Sequence, residues 1–176
     1  DTLPRDYLRR HPFARVPLLQ DGDFELYETA AIAAYLDESF PQPPLQPTAL
    51  HQRARLRQIV HAIDSYAYWP MVREVFVQRV LVPQRGGTAD EAVIASGLTA
   101  ARTALDAIER LAAPKGHLTG LQLTLADLHL APMVYYFTQA PEGAAGFAEF
   151  GKLGRWWSAI KERPSVAEVC VPLEMS

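Results

Sequence analysis

The proline-rich stretch from Pro41 to Pro47 divides this sequence into two parts that cannot share one architecture. Proline ends helices, withholds a ladder donor and biases the residue before it toward extended backbone. Upstream, Leu3–Arg10 suits a short helix stopped by His11-Pro12. Val16–Leu19 is an apolar run, Gln20-Asp21-Gly22-Asp23 a turn, and Phe24–Tyr27 a second short strand. Asp-Gly between two such runs signals a hairpin. Glu28 or Thr29 opens a helix whose apolar positions are Ile32, Tyr35, Leu36 and Phe40. A two-stranded sheet is marginal alone, so further strands are expected to complete this part.

Downstream the apolar period changes to that of long helices. Leu56, Ile59, Val60, Ile63 and Ala67 form one stripe, in a helix that Pro70 is expected to bend. Ile94, Leu98, Ala101, Leu105, Ile108 and Ala112 form another. The loop Gln84–Asp90, with Gly86-Gly87 as its flexible point, makes these two helices antiparallel neighbours. Thr124 reads as the N-cap of a third helix, with Asp127 three residues on, Leu123 and Leu128 at the staple positions, and Pro132 inside. A last helix is expected from about Ala148 through Leu153, Trp156, Trp157 and Ile160 toward Pro164. The whole region therefore reads as all-helical.

Charge narrows the function. Seventeen basic against twenty acidic residues leave a formal net charge of −3, and the arginines are scattered. Nothing creates the positive field that nucleic acid or an acidic membrane surface would need. The densest group, Arg5, Arg9, Arg10 and Arg15, reads as a solvated helix face. The single cysteine, Cys170, excludes an intrachain disulfide and fits a reducing, cytoplasmic setting. No apolar run approaches the ~20 residues of a membrane span.

Most familiar chemistry is missing. His51, His61, His117 and His129 make no zinc-binding pattern, so no metal is expected, and there is no nucleophile elbow, phosphate loop or dinucleotide fingerprint. Cys170, between Val169 and Val171, reads as a small buried apolar residue. Asp127 reads as a capping carboxylate. What remains is the hairpin's end. Pro17 donates nothing to a ladder and suits a strand start or a cis bond, which leaves the Val16 amide and carbonyl for a ligand. Across the hairpin, free amides at the helix start attract a carboxylate, the Thr29 hydroxyl adds a bond and Glu28 suits an ammonium. Two readings stay open: a site for a ligand with an amino-acid end and an amide backbone, or Glu28 and Thr29 simply capping their helix.

At these residues the sequence resembles the glutathione S-transferase family. His11–Leu36, HPFARVPLLQDGDFELYETAAIAAYL, looks like the second half of the family's thioredoxin-like domain. Leu123–Pro132, LTLADLHLAP, looks like the capped core helix of its C-terminal domain. The flavour is that of bacterial members, with some likeness to the phi-type enzymes of plants. The resemblance implies an α/β thioredoxin-like N-terminal domain, partial here (residues 1–41), a linker (42–49) and an all-α helical bundle (50–176). It implies a first strand, helix and second strand ahead of this stretch, carrying the residue that activates the glutathione sulfur. No residue here is assigned that role.

By the same resemblance, Val16 pairs its backbone with the cysteinyl part of glutathione beside a cis Pro17. Glu28 and Thr29 hold the gamma-glutamyl end, Thr29 standing where the family more often has Ser. Arg15 stands where many relatives have Lys or Gln and is placed to reach a carboxylate of the tripeptide. The implied activity is conjugation of the glutathione thiolate, a co-substrate, to small hydrophobic electrophiles. Tyr66, Tyr68, Trp69, Val72, Met133 and Tyr136 are candidates for the electrophile's wall, and a homodimer is expected. The alternatives are another glutathione-dependent reaction (isomerisation, peroxide reduction, dehalogenation) and a non-catalytic binding or interaction protein.

Overall fold

Leu18–Asp21 (β1) and Phe24–Tyr27 (β2) form an antiparallel hairpin in register Leu18↔Tyr27 through Asp21↔Phe24. The computed structural model describes residues 3–171, so the expected helical region's last residues, 172–176, lie outside the described residues. β1 starts later and runs further than the apolar run suggested, because the turn is only Gly22-Asp23. Gly22 takes φ +59, the left-handed conformation a tight turn demands and glycine adopts without strain.

The hairpin lies between two helices in sequence. Arg5–Arg10 (α1) is shorter than the Leu3–Arg10 expectation and has no buried residue. Two of its three arginines are paired on a solvated face: Arg9 with Asp6 at 2.8 Å, and Arg10 with Glu25 at 2.7 Å. Thr29–Ser39 (α2) buries Ile32 but leaves Phe40, just beyond its end, exposed, so that expected apolar position is not core. The Tyr35 hydroxyl reaches across to Asp21 at 2.6 Å and pins α2 to the turn. Beyond α2, Asp37 accepts from the Leu45 amide at 2.6 Å, which clips the proline-rich stretch back onto its own helix. Contacts divide the chain into Asp1–Gln46 and Pro47–Ser176.

The second unit is helical throughout its regular elements. Leu50–Ala62 (α3) continues into π-helical backbone over Ile63–Ala67 and Trp69–Leu81, then one α turn, Val82–Gln84 (α4). The expected simple bend at Pro70 is thus a long stretch of wider turns. Proline has no N–H for the ordinary bond to the carbonyl four residues back, and a five-residue register absorbs that loss. The expected stripe is nonetheless core, with Ile59, Ile63 and Ala67 fully buried.

Glu91–Leu111 (α5) starts where Asp90 accepts from the Ala92 and Val93 amides at 3.0 and 3.2 Å. Its apolar stripe is buried except Leu98, which is half-buried. Gly97 sets how closely α5 approaches the π segment. A Cβ there would stand 2.7 Å from the Glu74 Cβ and 3.2 Å from the Pro70 carbonyl oxygen. Gly97→Ala is therefore expected to lower stability by about 1–3 kcal/mol, measured by denaturant unfolding, despite alanine's better helix propensity. An unchanged or raised midpoint would show that the two elements separate freely.

Leu125–Phe137 (α6) begins at Thr124 as expected and contains Pro132. Gly151–Ile160 (α8) buries Leu153, Trp156 and Ile160. Two short helices fall outside the expectations: Pro141–Phe147 (α7) and Pro164–Ala167 (α9). Each carries proline in its first turn, a start signal that Gly143 and Gly146 masked in α7.

Candidate functional site

The hairpin register brings Val16-Pro17 and Glu28-Thr29 to one place. Leu18 and Tyr27 close the ladder, so the chain ahead of Leu18 and the chain after Tyr27 leave the sheet at the same end. The Val16-Pro17 bond is cis, and Val16 is 72% exposed. Its polar backbone lies beyond the last ladder pair.

Opposite, α2 begins without a side-chain cap. Glu28 sits at the N-cap with φ 74, a region that disfavours any side chain, and its carboxylate makes no capping bond. Its carbonyl accepts the Ile32 amide at 3.0 Å, as an N-cap carbonyl should. No acidic residue occupies the first turn either. The bland reading, in which Glu28 and Thr29 cap their own helix, is therefore not the observed arrangement. A carboxylate, a hydroxyl and uncapped helix-start amides stand exposed together, and such a group attracts an anion with an adjacent cation.

One contributor was not legible in the sequence. The Tyr7 hydroxyl of α1 donates to the Arg15 carbonyl at 2.6 Å and so fixes the turn that presents Val16. Ala14 within that turn takes φ 51, and the Ala14 amide returns to the His11 carbonyl at 3.0 Å. Buried His11 packs against Tyr27 at 4.8 Å between ring centroids. A tyrosine eight residues before the loop carries no periodic or spacing signal, so only the folded chain reveals this contact. Arg15 itself is exposed.

The residues expected at an electrophile's wall differ in exposure. Tyr66 and Trp69 are exposed at 70% and 51%, and the Arg73 guanidinium sits 5.9 Å over the Trp69 ring. Val72 is buried core, and half-buried Tyr136 packs at a tilt against buried Phe76, 4.8 Å between ring centroids. Tyr68 and Met133 are half-buried.

Asp127 behaves as its spacing implied, with more partners than a cap requires. It is fully buried and accepts from the Thr124 amide (2.7 Å), the Thr124 hydroxyl (2.8 Å), the Leu118 amide (2.8 Å) and the Trp156 indole (2.8 Å). His129 belongs to no zinc-binding pattern, yet its Nε2 lies 2.6 Å from Asp64 of the π-helical segment, 65 residues away. Cys170 is half-buried rather than buried, and burial pushes its thiol up, away from nucleophilic reactivity. Among the described residues no helix is long and apolar enough to cross a membrane.

Comparison with known proteins places this arrangement. The sequence model of the glutathione S-transferase N-terminal domain matches residues 2–38, and that of the C-terminal domain matches residues 46–164. The chain belongs to the glutathione S-transferase family, with a mixed α/β thioredoxin-like region followed by an all-α bundle. It is 29% identical over 171 residues to glutathione S-transferase 1 of Zea mays, covering 97% of this chain and 79% of that protein. The structure of glutathione transferase F7 from Populus trichocarpa superposes with a TM-score of 0.80 at 27% identity, covering 94% of this chain and 78% of that one. Glutathione S-transferase-I bound with lactoylglutathione gives a TM-score of 0.80 at 29% identity, covering 95% and 79%.

These findings correct one expectation. The similarity is primarily to plant phi-type proteins, not to a bacterial type with only some phi likeness. The motifs behind that expectation, the cis-proline turn and the capped helix, serve the fold itself. They carry little information about type.

Proposed function

We propose that the chain acts as a glutathione transferase, conjugating the glutathione thiolate to small hydrophobic electrophiles. The observation that carries this reading is the convergence at the hairpin end: the exposed Val16 backbone beside cis Pro17, facing an uncapped helix start with a free carboxylate at Glu28. Glutathione has the matching chemistry. Its peptide group suits the Val16 amide and carbonyl, its gamma-glutamyl carboxylate the α2 amides and Thr29 hydroxyl, and its ammonium Glu28. Arg15 is placed to meet a further carboxylate.

In the reaction a hydrogen-bond donor lowers the thiol pKa, and the proton leaves to solvent. The sulfur lone pair then forms a bond to the electrophilic carbon as the leaving group departs with its electron pair. The activating donor is not assigned to any residue of this sequence. Exposed Tyr66 and Trp69 offer apolar surface suited to an aromatic electrophile.

Calorimetric titration with glutathione, followed by turnover of a chloronitroaromatic acceptor, tests the reading on the complete polypeptide. Saturable binding and turnover are the expected results. Binding without turnover of any acceptor would favour a non-catalytic member of the family, and no binding would remove the site assignment. A homodimer is the expected assembly, two-fold pairing being the commonest oligomer. Sedimentation of the complete polypeptide at micromolar concentration should give twice the chain mass; a monomer would sink this expectation.

A further inference from the structure

The helical unit contains a cavity of about 240 Å³ that plays no part in the site above. Its accessible apolar lining is Ala113, Pro114 and Ala159; Leu118 and Trp156 also line it but are nearly fully buried. Lys115, Lys152 and Arg155 line it together with His117. No acidic residue lines it, in a chain where acidic residues outnumber basic ones by 20 to 17. The two carboxylates behind its wall are saturated. Asp127 accepts its four donors, and Glu109 accepts the Lys152 and Leu153 amides, both at 2.9 Å. Neither forms an ion pair with Lys115, Lys152 or Arg155 among the described residues.

The walls are held in place rather than assembled on demand. The Ala113 amide donates to the Leu118 carbonyl at 2.9 Å, and the His117 amide to the Gly120 carbonyl at 2.7 Å. Gly116 takes φ +82, and a Cβ there would stand 2.7 Å from the Gly120 oxygen, so this turn is closed to any larger residue. Lys152 Nζ donates to the Ala112 carbonyl at 2.7 Å, which fixes the ammonium at the cavity and leaves two of its three N–H groups for a ligand. Lys115 and Arg155 make no hydrogen bond or ion pair among the described residues. His117 Nδ1 is buried with no hydrogen-bond partner, the Asp127 oxygen lying 3.6 Å away, too far for one.

We propose that this cavity binds a small phosphate monoester, its apolar body against Ala113, Pro114 and Ala159 and its phosphate held by Lys115, Lys152 and Arg155. Three cations without a lining carboxylate favour a dianion over a singly charged group. A guanidinium and two ammonium groups match phosphate oxygens with charge-assisted hydrogen bonds. The apolar lining distinguishes an ester from free phosphate. The site is independent of glutathione, whose proposed residues all lie in the other unit.

Phenyl phosphate is the probe, titrated calorimetrically into the full chain. Saturable binding is expected, weakening as salt is raised, with phenol inert and inorganic phosphate clearly weaker. The Lys115→Ala/Arg155→Ala double variant should lose at least about tenfold in affinity while its melting temperature and glutathione binding stay unchanged. Ala159→Glu, at an exposed position of α8 on the cavity wall, should abolish phenyl phosphate binding by placing a carboxylate among the cations. Saturating glutathione should not displace the probe. Absence of binding, equal binding of phenol or inorganic phosphate, displacement by glutathione, or undiminished binding in both variants would each overturn the proposal.

Discussion

Asp127→Ala is expected to lower the stability of the protein by about 3–5 kcal/mol while leaving the folded protein's affinity for glutathione unchanged. The spacing from Thr124 implies a capping carboxylate alone, whose loss costs on the order of 1 kcal/mol. The structure raises that figure because the carboxylate does more than cap. It is fully buried and joins three segments: the start of α6 through Thr124, the loop before it through the Leu118 amide, and α8 through the Trp156 indole. Alanine leaves two buried amides and an indole N–H unpaired, each costing about 1–3 kcal/mol, and partial rearrangement keeps the sum below their total. Asp127→Asn should fall between, because its amide keeps one acceptor oxygen and turns a second donor toward existing donors. Urea unfolding and glutathione titration read the two effects separately. If Asp127→Ala melts like its parent but no longer binds glutathione, this carboxylate belongs to the ligand site and the structural assignment is wrong.

The contrast between Asp127 and His129 shows what a sequence of this kind reveals. Thr124, Asp127, Leu123 and Leu128 lie within one turn of helix, and local hydrogen-bond geometry ties their spacing to their role. His129 meets Asp64 across 65 residues, a pairing no local pattern encodes. The fold divides in the same way. Apolar periodicity located α3, α5 and α8, because amphipathic stripes are local, as are the capping signals that located α6. It did not foresee the π-helical register from Ile63 to Leu81, which depends on Pro70 and on packing against Gly97 of α5. In the candidate site, Val16, Pro17, Glu28 and Thr29 were legible because a hairpin register relates them by counting residues. The Tyr7 hydroxyl that fixes the Arg15 carbonyl was not, since it joins a helix to an irregular turn. Positive φ at Glu28 was equally hidden, glutamate being a residue that ordinarily avoids it.

That backbone conformation sharpens the second large effect, on Glu28. Glu28→Ala is expected to weaken glutathione binding at least about tenfold, or about 1.4 kcal/mol, with little loss of stability. The carboxylate makes no capping bond and is exposed, so removing it leaves no buried partner stranded. What is lost is a charge placed for the ligand's ammonium. Alanine keeps the Cβ and therefore the cost of holding φ 74, of order 1–3 kcal/mol. Glu28→Gly removes carboxylate and strain together. It should bind glutathione as weakly as the alanine variant, yet melt at a higher temperature than that variant, because glycine adopts positive φ freely. Glu28→Gln retains an acceptor without the charge and should recover only part of the affinity. A residue acting only as a helix cap would behave differently: glycine, tolerated at an N-cap, would largely preserve stability and affinity alike, and alanine would lower both. Titration calorimetry and thermal melts on the three variants separate the cases. Equal glutathione affinity in the parent and all three would remove Glu28 from the site, and with it the strongest reason to place the gamma-glutamyl end at the start of α2.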